Sequence, residues 1–141
     1  MLVVLLPEQI AEHWDELKFY IEHALPVHKS KGYDMRSVFM HVLGGVLLIA
    51  VLQDEDRKII AVFTITVVRD PITSINTLEI VTGYAVRMLT KDEVDSMLVT
   101  LKPLAKHKSC RNIVFFTDIE MVIKVFKESG AVEHTHLIWE V

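Results

Sequence analysis

Apolar positions change rhythm several times along this chain. Residues 2 to 6 are a continuous apolar run closed by Pro7, the mark of a short buried strand. From Glu8 the period lengthens: Ile10, Trp14, Leu17, Ile21 and Leu25 recur at steps of four and three with charges between them. That pattern predicts an amphipathic helix ending before Pro26, followed by a polar loop over 27 to 33. Met35, Val38, Phe39 and Val42 share one face of a second helix, which Gly44 and Gly45 stop. Three strands follow, over 46 to 53, 59 to 68 and 77 to 86. The charged turn between the first two is short enough for an antiparallel hairpin. In the second, Phe63, Ile65 and Val67 alternate with Thr64 and Thr66, while Gly83 in the third marks a bulge or a close backbone approach.

The C-terminal half repeats the alternation of helix and strand. Thr90 and Glu93 have the spacing of a capping box, in which each side chain serves the other's backbone amide. Val94, Met97, Leu98, Leu101 and Ala105 then line one helix face, which Pro103 is expected to kink or split. Residues 112 to 117 read as a buried strand, and Asp118 as the cap of a helix with Met121, Val122, Val125 and Phe126 inward. Gly130 ends that helix, and residues 134 to 141 alternate as a last strand. The order β-α-α-β-β-β-α-β-α-β describes one α/β domain over residues 1 to 141, built on a mixed sheet.

Composition adjusts this picture in three places. Apolar residues make up 51% of the 141, so the chain either buries much of itself or meets a partner. A formal net charge of −4 gives no general attraction to nucleic acid or to an anionic membrane. The single cysteine, Cys110, allows no internal disulfide and suits a reducing compartment. The opening apolar run lacks a cationic lead and stops at Pro7, so the expectation is a protein that is not secreted. The longest apolar run, 42 to 52, is well short of the ~20 residues of a membrane span.

Candidate chemistry is sparse. His134 and His136 fall on one strand face with Glu140, but nothing completes a ligand set, and surface roles are favoured over metal binding. His13 and His23 stand ten residues apart on the first helix, too far to share a metal, and His28, His41 and His107 have no visible partners. Cys110 lacks a histidine partner and reads as a packing residue. Lys102, Lys106, Lys108 and Arg111 form a basic stretch that suits a phosphate, nucleic acid or simply a solvated helix end. No aromatics interleave it, so nucleic acid is not expected as a partner. Trp14, Phe19 and Tyr20 sit on the amphipathic first helix, where packing is the default role.

The element order, the capped third helix, the apolar strand after it and the Ser129-Gly130 helix stop together resemble the GNAT N-acetyltransferases. More narrowly, the "LPEQI…W" helix, the "LGGVLLI" hairpin entry and the "KSCRNIVFF" run resemble small GNAT-like proteins of tailed bacteriophages, including internal virion and acetyltransferase-like proteins. The resemblance implies a GNAT-like (acyl-CoA N-acyltransferase) fold with a mixed sheet of about six to seven strands and about four helices. It also implies acetyl-CoA as the cofactor of an active protein, cradled by backbone amides after the fourth strand. The matching residues here are Met88, Leu89, Thr90, Lys91 and Asp92, with no glycine among them and with Asp92 and Glu93 opposing a phosphate. Relatives of this kind commonly end the fourth helix with tyrosine-glutamate-lysine-x-glycine-phenylalanine, the tyrosine acting as general acid. Phe126 stands at the tyrosine position and has no proton to give. A carboxylate on the fourth strand is often the general base, and Glu79 is the candidate here, against its reading as a solvent-facing strand glutamate.

Two expectations follow. One is a bacteriophage protein with degenerate acetyl-CoA and catalytic motifs. It would act in the virion, in assembly or on the host through a phage or host protein partner or as a homo-oligomer, in the infected cytoplasm or the particle. The other is a working acetyl-CoA-dependent N-acetyltransferase acting on an amine of a protein or small molecule.

Overall fold

The computed structural model describes residues 1–24, 34–135, 137 and 139. Among them it contains five strands and five helices: β1 (Leu2–Val4), α1 (Pro7–Glu12), α2 (Trp14–His23), α3 (Met35–Leu43), β2 (Leu48–Gln53), β3 (Ile59–Arg69), β4 (Asn76–Ala85), α4 (Lys91–His107), β5 (Cys110–Phe115) and α5 (Glu120–Glu128). The strands form one sheet in the order β1-β2-β3-β4-β5. Neighbours from β1 to β4 are antiparallel, and β5 lies parallel to β4 after the α4 crossover.

Each face of the sheet is covered by its own helices. On one, Phe63, Ile65, Leu78 and Ile80 meet Met97, Leu101 and Ala105 of α4. On the other, Ile49, Val51 and Val62 meet Ile10, Leu17, Ile21 and Val42 from the first three helices. The period-four and period-two patterns of the sequence thus converge on two separate cores, one on each side of a three-layer sandwich.

Several expectations are corrected. The first predicted helix is two: His13, at φ −109° and ψ 19°, separates α1 from α2. Pro7 opens α1, where its missing N–H is harmless, and Gln9 Oε1 accepts the Leu6 amide. The apolar face runs through the break, since Ile10, Leu17 and Ile21 are all buried; Leu25 lies outside the described residues. Pro103 does not split α4, which is continuous from Lys91 to His107 and is held by its buried face. Asp118 does not cap α5: the N-cap is Ile119, and its amide donates to Thr117 Oγ1 instead. Met121 is 60% exposed, leaving Val122, Val125 and Phe126 as the half-buried face. The expected sheet of six to seven strands has five among the described residues. Residues 131 to 135 are exposed and irregular, so no last strand begins at His134; residues 136, 138, 140 and 141 lie outside the described part.

Other expectations hold. The Thr90–Glu93 capping box is formed at the start of α4. Gly45, at φ +75°, supplies the left-handed residue after α3. Gly130, at φ +98°, ends α5: its amide donates to the Lys127 carbonyl and the Ala131 amide to that of Phe126. This double closure is the Schellman motif.

Candidate functional site

The sheet opens at one end. β4 pairs with β5 only from Asn76 to Ile80, where Ile80 meets Phe115, the last residue of β5. β4 continues to Ala85 beside β3, so among the described residues its second half has no strand partner on the β5 side. Where pairing stops, β4 carries one extra residue. Ile65 faces Ile80 and Thr64 faces Thr82, leaving Val81 as a bulge. The bulge changes which face each later residue uses. Leu78 and Ile80 point to the α4 side, whereas Thr82 points to the other, where its hydroxyl lies 2.6 Å from that of Thr64.

The open half presents backbone. The Val86 amide donates to the Ile60 carbonyl on β3. By strand alternation, the amide and carbonyl groups of Gly83 and Ala85 therefore turn away from β3 into the opening. Gly83 is required by crowding behind it: a Cβ there would lie 2.9 Å from two ring carbons of Phe63 and 3.5 Å from Phe115. Both readings of Gly83 apply, since a close approach and a bulge stand two residues apart. Phe115 also packs against Phe126 of α5, with ring centroids 5.3 Å apart, so the crotch between the strands has a floor of phenyl rings on the α4 side.

The N-terminus of α4 borders the mouth. Among the described residues the amides of Met88, Leu89, Lys91 and Asp92 donate to no protein group, while Thr90 and Glu93 satisfy each other. Met88 and Thr90 are exposed and Leu89 packs into the α4-side core. Arg87 grips Glu93 with two hydrogen bonds, of 3.0 and 2.6 Å, and Lys91 pairs with Asp95 at 2.6 Å. The Arg87 hydrogen bond holds the Glu93 carboxyl below its ordinary value, and that of Lys91 does the same for Asp95. Glu93 is therefore an ionised carboxylate paired with a guanidinium at the mouth. Asp92 remains exposed. Arg87 and Lys91 are cations that the sequence pattern did not single out as a pair. The clue available was an arginine six residues before the capping-box glutamate.

The candidate catalytic positions fall on opposite faces near the crotch. Glu79 is half-buried on β4, beside Thr66 and Val114, one residue before the pairing ends. Its side chain lines a shallow hollow with Thr77, Val114 and Phe116. Phe126 lies on the α4 side against Phe115.

Other sequence candidates lie elsewhere. Lys102, Lys106, Lys108 and Arg111 lie along and beyond the second half of α4, from about 16 Å past its N-terminus onward, and take no part in the mouth. His134 is exposed on irregular chain, and His136 and Glu140 lie outside the described residues. Among the described residues no group of three or more histidine, cysteine or acidic side chains is placed to hold a metal. Burial raises the Cys110 thiol, consistent with a half-buried packing residue rather than a nucleophile. No helix among the described residues is long and apolar enough to cross a membrane.

No protein-family model matches the sequence, and a search of curated proteins finds no match. Comparison of structures does find similarity over the whole chain. An aminoglycoside acetyltransferase from an uncultured soil metagenomic sample, solved with sisomicin, superposes with a TM-score of 0.72 at 11% identity, covering 100% of this chain and 95% of that one. An aminoglycoside N-acetyltransferase solved with CoA gives 0.67 at 13% identity, with 100% and 98% covered. Glucosamine-6-phosphate N-acetyltransferase from Arabidopsis thaliana gives 0.62 at 14% identity, with 100% and 97% covered. At these identities the likeness speaks for architecture: the chain has the acyl-CoA N-acyltransferase fold of the GNAT acetyltransferases.

Proposed function

We propose that the protein binds an acyl-CoA, acetyl-CoA in the simplest case, and transfers the acyl group to an amine. The observation that carries this reading is the parting of β4 and β5 after Ile80, with the peptide groups of Gly83 and Ala85 turned into the gap. An extended arm containing amides can add to such an edge as a strand would. The residues present fit the group. Gly83 leaves room at the edge, and the α4 amides that no protein group uses offer donors for phosphates. The bound thioester would supply an activated acyl carbon. Glu79, at the root of the opening, is suited to take the proton of the amine. Phe126 contributes apolar floor and no proton, so protonation of the leaving sulfur falls to solvent.

Calorimetry with acetyl-CoA tests the reading. Micromolar binding is expected in the native protein. Ala85→Pro deletes an amide that faces the gap rather than β3, and is expected to preserve the fold and weaken binding about tenfold. Glu79→Gln should leave that affinity unchanged and slow turnover across a panel of amines. Absence of acetyl-CoA binding sinks the proposal.

A second reading keeps the fold and abandons the chemistry. Phe126 favours it, because the fold's usual proton donor is missing where the resemblance expects one. On this reading the chain is a tailed-bacteriophage protein with a virion, assembly or host-interaction role. Its test is copurification with phage particles or procapsids.

A further inference from the structure

On the face of the sheet away from α4, four aromatic rings close a circuit. Phe19 and Tyr20 meet edge-on at 5.7 Å between centroids, Tyr20 reaches Tyr84 at 5.8 Å, Tyr84 reaches His23 at 5.9 Å, and His23 returns to Phe19 at 4.0 Å. Three of these rings belong to the last turns of α2, and the fourth stands on the unpaired half of β4. The ring circuit is therefore on one lip of the opening.

Two features set it apart from ordinary core packing. It is not enclosed: Phe19 is 52% exposed and His23 is exposed, while Tyr20 and Tyr84 are half-buried. It also coincides with the C-terminal end of α2, where helix carbonyls concentrate partial negative charge. His23 Nδ1 lies 2.7 Å from the Phe19 carbonyl. A carbonyl only accepts, so Nδ1 carries the proton in this contact, which fixes the orientation of the ring. Ring faces and a helix C-terminus both attract cations, and neither attracts anions.

We propose that the circuit of Phe19, Tyr20, His23 and Tyr84 binds an ammonium group of the amine acceptor. This deepens the acyltransfer reading and rests on it for the word acceptor, but the binding itself needs no CoA. The site selects amines by charge and by contact with ring faces. A neutral analogue of the same size lacks the first of these.

The test is an aromatic-region NMR titration of the full chain with butylammonium chloride, and separately with 1-butanol as a neutral control. Ring signals of His23 and Tyr84 are expected to shift with butylammonium and not with butanol. Phe19→Leu, a substitution at a half-exposed position, should weaken the ammonium response about three- to tenfold. Tyr84→Phe keeps the ring and should leave it intact, whereas Tyr84→Leu should weaken it. Equal responses to butylammonium and butanol, no response to either, or a response unaffected by Phe19→Leu each overturn the proposal. Failure of acetyl-CoA binding with the ammonium response intact removes the acyltransfer reading alone. Acetyl-CoA binding without an ammonium response removes this inference alone.

Discussion

The two halves of β4 are built from similar residues and do opposite work. From Asn76 to Ile80 the strand is paired on both sides, and Leu78 and Ile80 are buried against α4. From Val81 to Ala85 it is paired on one side only, and just one of its five residues, Thr82, is buried. The first half is scaffold, and its peptide groups are consumed by neighbours. The second keeps its peptide groups available on one edge because its neighbour ends. Availability here comes from where β5 stops, more than from any special side chain.

The contrast can be broken by substitution. Leu78→Ala in the closed half should destabilise the fold by about 3 kcal/mol, as a large buried side chain is lost. Val81→Ala in the open half should cost less than about 1 kcal/mol, and urea denaturation of both variants measures the difference. Similar losses would mean that the halves are not mechanically distinct. Gly83→Ala sharpens the comparison from the other side. Its Cβ meets the Phe63 ring, so a loss of about 2 kcal/mol is expected, and adding Phe63→Leu should recover most of it. Without that recovery, crowding behind the open edge is not the reason for the glycine.

The mouth beyond the open half gives a smaller, pH-dependent effect. Glu93→Gln removes the charge from both the capping box and the Arg87 pair and should cost about 1 kcal/mol at neutral pH. Because folding lowers the Glu93 carboxyl, its contribution is complete above the ordinary glutamate value. It fades as pH falls through the lowered folded value. The stability gap between native protein and Glu93→Gln should therefore close in acid, and urea midpoints across an acid series check the sign. The smallest effect belongs to the closed end. Ser109 holds φ 57° just before β5 enters the sheet, so Ser109→Gly should stabilise by about 0.5–1 kcal/mol in the same assay.

Much of the fold was legible because it rests on local periodicity. The α4 stripe, the alternation of β3 and the Thr90–Glu93 box each involve partners a few residues apart. The break at His13 was hidden because the apolar face continues through it. The cap of α5 was misread because Thr117, rather than the adjacent aspartate, takes the orphan amide. For the site, alternation put Glu79 on a definite face, but its place at the root of the gap depends on the end of β5, a distant fact. The Arg87–Glu93 pair joins a loop to a helix and has no fixed spacing to recognise. The ring circuit needs α2 to cross β4, which no periodicity encodes.

Val81 has a consequence for how this protein can change over time. The bulged pairing at Val81 decides that Gly83 faces the crowded phenyl floor and Tyr84 the outer lip. Deleting Val81 would leave every face as it is, with Thr82 still opposite Thr64, whereas pairing Val81 itself with Thr64 would exchange the faces up to Ala85, sending the tyrosine inward and the glycine outward. Along this stretch a slip of the pairing register is a larger step than any substitution. The recognition surface of the open half is therefore inherited as a reading register as well as a set of side chains.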